Sequence, residues 1–144
     1  MRDEPDAGEV STSLPFSKRA ARRMIQRAFV LLGRNKHLRQ HIREAHLTTL
    51  WVLEDWNFVW TVIFDRGRIE FERRPAKKPD LAFTWRTAGA FLRQVEEGSA
   101  PEGSFELAGN QELRRFSEPL LKGLLESLRH VLRNPVDDVG ESLL

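Results

Sequence analysis

His37 and His41 stand four residues apart, the spacing that puts two imidazoles on one helix face and could begin a zinc site. His46 is near, but no acid or further histidine follows at a spacing that would complete a ligand set. In so basic a segment the plainer reading is solvated surface. The paired carboxylates Glu54-Asp55, Glu96-Glu97 and Asp137-Asp138 lie in turns or near ends. Adjacent side chains normally point apart, so these pairs do not make an acid and a base facing one substrate. A GxSxG elbow, a Walker loop and a dinucleotide fingerprint are all missing. There is no cysteine, hence no thiolate nucleophile, thiolate zinc site or disulfide. The expectation is a protein without catalytic residues, cofactor or metal.

What the chain does have is charge and rings. From Lys18 to Arg43 the charged residues are Lys18, Arg19, Arg22, Arg23, Arg27, Arg34, Lys36, Arg39 and Arg43, with no acid among them. Such a segment favours an anionic partner, whether membrane, nucleic acid or protein. The 144 residues suit one domain able to bury a proper core. Uncharged stretches are far shorter than the ~20 apolar residues that span a bilayer. The opening MRDEPDAGEVSTS is acidic and has no apolar signal core, so we expect a cytoplasmic protein. We divide it into a disordered tail over 1–15, one domain over 16–134 and a C-terminal tail over 135–144.

The elements follow from periodicity. After Ser17, a fitting N-cap, Ala21, Met24, Ile25, Ala28, Phe29 and Leu32 recur at helical spacing. Gly33 is placed for a left-handed cap. A second, shorter helix is predicted over 36–45. Strands are predicted over 47–53, 58–64 and 68–72, with Arg66-Gly67 as the hairpin turn. The 58–64 strand is apolar on most of both faces and should be central in the sheet. PDLAFTWRTAGAF then gives a strand after Pro79, read as a sheet edge, and a helix capped by Thr87 and ended by Gly98. Phe105 and Leu107 mark a further strand, and a last helix starts near Glu112 or Pro119 and ends near Arg133. Helices, a four-strand meander, then helix, strand and helix make an α+β layered domain with a mainly antiparallel sheet.

Large rings are many for so small a domain: Phe58, Trp60, Phe64, Phe71, Phe83, Trp85, Phe91, Phe105 and Phe116. They fit an ordinary core or the lining of an apolar ligand cavity, and both readings stay open on periodicity alone.

The run from about Leu47 to Leu132 resembles the sterol carrier protein (type two) domain. The resemblance rests on the hairpin at Arg66-Gly67, on KKPDLAFTW leading into the helix with Phe91 and Gly98, and on SFELAGN entering the last helix. Asp80, Leu81, Phe83, Phe91, Gly98, Phe105, Leu107, Gly109 and Asn110 occupy the family's pattern positions. It implies a sheet of about five strands covered by helices, preceded here by an N-terminal helical pair. It also implies an apolar tunnel for a lipid, fatty acyl chain, isoprenoid or sterol-like ligand. Trp60, Val62, Phe71, Phe83, Phe91, Phe105, Leu107, Phe116, Leu120 and Leu124 would line that tunnel. Arg19, Arg22, Arg23 and Arg27 would meet an anionic membrane surface. Two other functions compete with carriage. One is an accessory or scaffold module with a filled core, for which Leu143 and Leu144 could offer a partner surface. The other is nucleic-acid binding through 18–43.

Overall fold

The computed structural model describes residues 16–144; the tail expected over 1–15 lies outside the described residues. Ser17 takes the Ala20 amide on its hydroxyl at 3.1 Å and opens helix α1 (Lys18–Gly33), whose buried stripe is the apolar spacing read from the sequence. The left-handed cap expected at Gly33 is not formed. Helix α1 runs through Gly33, and Arg34 closes it in the right-handed region. The glycine serves close approach instead, since a Cβ there would collide with Ile69 on the sheet. Asn35 caps the short α2 (Lys36–His41), which stops before the predicted end at 45.

Five strands follow: β1 (His46–Leu53), β2 (Phe58–Asp65), β3 (Arg68–Glu72), β4 (Leu81–Trp85) and β5 (Phe105–Gly109). Helix α3 (Ala88–Glu97) joins the last two, and a 3-10 turn at Gln111–Phe116 runs into α4 (Ser117–Arg133). Both starts read for the last helix are therefore present, as two kinds of helix. Thr87 caps α3 at Ala90 and Gly98 ends it in the left-handed region, as predicted.

The α+β class and the five-stranded, mainly antiparallel sheet are as expected, but the four-strand meander is not. The strand order is β3-β2-β1-β4-β5, and β4 pairs with β1 in parallel. PDLAF is therefore an interior strand, flanked by β1 and β5, and not a sheet edge. The physical reason lies in the link 73–80. Pro75 and Pro79 lack the N–H a ladder needs, so this segment cannot turn back along β3. It crosses the sheet, where the Thr61 hydroxyl donates to the Arg74 carbonyl at 2.6 Å. Asp80 then docks on β1: its amide donates to the Thr48 carbonyl at 2.7 Å and its carboxylate accepts the Thr48 amide at 2.8 Å. Its carbonyl accepts the Asn110 amide at 2.8 Å, an approach for which Gly109, at φ 135°, leaves room.

Register puts Leu47, Thr49, Trp51 and Leu53 of β1 on one face with Phe64, Val62, Trp60 and Phe58 of β2. Phe71, Phe83 and Leu107 join them on the strands to either side. The helices cover this face. The other face shows Leu50, Val52, Val59 and Ile63 half-buried. Residues after α4 fold back on α1: Arg27 and Arg34 both reach Asp138 at 2.9 Å, and Arg23 donates to the Leu143 carbonyl at 2.9 Å. Leu143 is turned into the core, not outward as a partner surface; Leu144 is exposed.

Candidate functional site

The site is built where α1, α3 and α4 meet above the end of β1. Met24 and Ile25 come from α1, Leu53 from β1, Phe91 from α3 and Leu128 from α4, with Phe16 at the rim. Each helix supplies them because its apolar stripe must face the same strand end. They line a wholly apolar, partly open void of about 10 Å³. That is room for about one water-sized sphere, in a place that offers water no partner. An acyl chain enters only if the helices part.

Of the ten residues expected to line a tunnel, only Phe91 borders this void. Trp60, Val62, Phe83, Leu120 and Leu124 are buried, while Phe71, Phe105, Leu107 and Phe116 are half-buried against the same core. The rings touch one another. Trp51 stacks on Phe83 at 3.9 Å; Phe29 meets Trp60 at 5.6 Å and Phe71 at 5.5 Å; Trp85 meets Phe91 at 4.7 Å and Phe105 at 4.8 Å. These are edge-to-face, tilted and stacked contacts of the kind that close a core. Three of the four indole N–H groups are satisfied there as well. Trp51 donates to Thr49, Trp60 to Gln26 and Trp85 to Gln94.

Sequence reading missed Met24, Ile25, Leu53 and Leu128 as void-lining residues. Their helical or alternating spacing marks them as core, and that signal is the same whether the space beyond them is full or empty.

Several of the polar residues singled out earlier have structural partners. Asp55 accepts the Ala88 amide at 2.9 Å at the head of α3, and Glu97 accepts from Arg93 at 3.1 Å. Asp137 accepts the amides of Val139 and Glu141 at 2.9 Å. His37 and His41 lie edge-to-face at 6.2 Å, and no set of three or more His, Asp or Glu among the described residues is placed to hold a metal.

The four arginines expected at an anionic surface are divided. Arg23 and Arg27 are engaged with the C-terminal segment. The Arg22 guanidinium lies 4.6 Å over Phe58, and burial, then the charges of Arg73 and Arg19, lower its pKa. Lys18 reaches the same aromatic corner, 5.9 Å from Trp56 and from Phe58. Lys36, Arg39 and Arg43 lie beyond the far end of α1, roughly 24 Å along its axis. The basic segment is two patches, not one continuous face.

No family model matches the chain, and no curated protein matches it in sequence. Solved structures do. A conserved hypothetical protein from Thermus thermophilus, described as a candidate sterol carrier protein, is 15% identical over 75% of this chain and 85% of its own, with a TM-score of 0.51. This likeness gives the fold: α+β, of the sterol-carrier type. The UbiJ-SCP2 ubiquinone synthesis protein is 12% identical over 74% of this chain and 94% of its own, at a TM-score of 0.46. The inverting sec-alkylsulfatase Pisa1 from Pseudomonas sp. is 14% identical over 54% of this chain, at 0.43, and the match spans 12% of that enzyme. No helix among the described residues is long and apolar enough to cross a membrane.

Proposed function

We propose that this chain is a non-enzymatic binder of a hydrophobic ligand, an acyl, isoprenoid or sterol-like chain taken up between the sheet and the helices. The observation that carries the reading is the wholly apolar void under α1, α3 and α4, set in a sterol-carrier-like fold. Binding proceeds by parting helices, with α3 as the moving one. Polar ties hold it at a few points: Arg129 donates to the Val95 carbonyl at 2.9 and 2.7 Å, and Asp55 and Gln94 make the bonds described above. Each ligand methylene moved from water into the opened site contributes about 0.8 kcal/mol, which offsets the cost of separating packed surfaces. The opened site extends from the void toward Phe83, Phe105, Leu107, Leu120 and Leu124, with Trp60, Val62, Phe71 and Phe116 around it. Lys18, Arg19 and Arg22 at the aromatic corner dock the chain transiently on an anionic membrane.

The test is uptake. Purified protein is extracted with organic solvent and weighed by native mass spectrometry, then titrated with a fluorescent fatty acid. We expect a co-purifying lipid or saturable uptake, weakened by Ile25→Trp, which blocks the void. A second reading has its own support in the ring-on-ring packing: an accessory module whose core is filled and whose surface meets a protein. It prevails if no lipid co-purifies, the probe does not bind, and the protein is recovered in a defined complex.

A further inference from the structure

Helix α2 and the β2–β3 hairpin face each other across an open groove of about 460 Å³. Lys36, Arg39, Gln40 and Arg43 line one side, Arg66 and Gly67 the other, and no acid lines it. The arrangement is imposed from beneath. Leu38 and Ile42 are buried, so the residues that follow each of them, Arg39 and Arg43, are carried outward together. The hairpin tip is pinned to the same corner, since the Arg66 amide donates to the Ala45 carbonyl at 3.0 Å. At the tip Arg66 has φ 50° and Gly67 φ 88°, and the Arg39 guanidinium rests over the bare glycine backbone.

Three arginines outside the groove are paired: Arg27 and Arg34 share Asp138, and Arg74 meets Glu72 at 3.3 Å. In the groove the one approach is Asp65, 3.9 Å from Arg66 and closer to His46 at 3.3 Å. Among the described residues Lys36, Arg39 and Arg43 have no ion-pair partner. Four cations are thus held together by tertiary structure against their mutual repulsion, an arrangement that an anion relieves.

We propose that this groove binds a phosphate-bearing anion. Two guanidinium forks and an ammonium on one wall, faced by the Arg66 guanidinium on the other, match the oxygens of a phosphate or diphosphate group. No apolar residue lines the walls, so the phosphate is what is recognised and not what it is attached to. The chemistry is shared by a free phosphorylated solute and by a phospholipid headgroup. The site stands apart from the apolar void and does not depend on lipid uptake there.

The experiment uses the full chain at an ionic strength of about 0.15 M, where weak surface attraction is screened. Inorganic pyrophosphate is titrated by calorimetry, and flotation is measured with vesicles of phosphatidylcholine with and without phosphatidic acid. We expect binding to one probe or both, weakened on the order of tenfold by Arg39→Gln and again by Arg43→Gln. Arg93→Gln with Arg133→Gln removes the same charge far from the groove and should leave binding unchanged. Pyrophosphate binding without flotation assigns a soluble ligand, and phosphatidic-acid-dependent flotation assigns a headgroup. Lys36→Gln and Arg66→Gln, from the two walls, repeat the test if the first pair disturbs folding. No binding of either probe, or an equal loss in the distant pair, overturns the proposal.

Discussion

Trp85 ends β4 at the corner where the chain turns into α3, and its indole is 1% exposed. Burying that N–H costs free energy unless it is bonded, and Gln94, two turns into the following helix, accepts it at 2.8 Å. Gln94→Leu keeps most of the volume and leaves the donor orphaned. We expect a loss of about 1–3 kcal/mol in urea denaturation, with the fold retained. A neutral result would mean that the indole finds another acceptor. Much at this scale was legible. Alternation placed Leu81, Phe83 and Trp85 on one face, and Thr87 and Gly98 marked the ends of the helix by their own backbone chemistry. The Trp85–Gln94 bond was not legible, because a glutamine within a helical stripe gives no sign of whether it faces solvent or an indole. Asp80 is similar. Its place in the resemblance was visible, while its work, receiving the Thr48 amide so that β4 can start beside β1, depends on a contact far away in sequence.

At the scale of elements, the C-terminal segment is fastened to α1 by a shared carboxylate. Hydrogen bonds from Arg34 and then Arg27 hold the Asp138 carboxyl well below the usual carboxylate range. A folded-state pKa that is depressed stabilises the protein above the unfolded value and ceases to do so as pH falls through the folded one. Asp138→Asn should therefore lower the melting temperature at neutral pH. The effect should be small, as for other exposed ion pairs, and reduced by salt. The gap between wild type and variant should close progressively as pH drops below about 4. A gap that stays constant into acid would show that the asparagine acts by some route other than charge. Read as sequence, 135–144 is a polar tail with two leucines, and nothing local announces that Leu143 is buried. The strand order was hidden for the same reason. Each strand has a clear period, but period says which face is buried and not which strand lies alongside.

For the whole molecule, the sheet and the helices differ in how firmly they are held. Strands β1, β2 and β4 are bonded on both sides, whereas α3 is ten residues long and tied to the rest by packing and a few polar bonds. In native-state hydrogen exchange the amides of α3 should exchange through a local opening well below the global unfolding free energy, with those of β1 and β2 the slowest. If α3 instead exchanges only with global unfolding, the ligand route through it is closed. The layered class was readable because composition and period determine which surfaces must be hidden. The volume left between the layers was not, since a void of about 10 Å³ is the small residue of many packed side chains.

The parallel pairing of β1 and β4 also bears on how the chain is made. On the ribosome, β1, β2 and β3 emerge in succession and can pair as they appear. The other side of β1 must wait for Leu81–Trp85. Until then a nascent chain carries, beside Trp51 and Leu53, a row of unpaired backbone groups able to template a neighbour. A chain halted with β1 to β3 outside the ribosome and Leu81–Trp85 still within it would leave that edge bare, and a chaperone that protects this protein during synthesis has its natural target there.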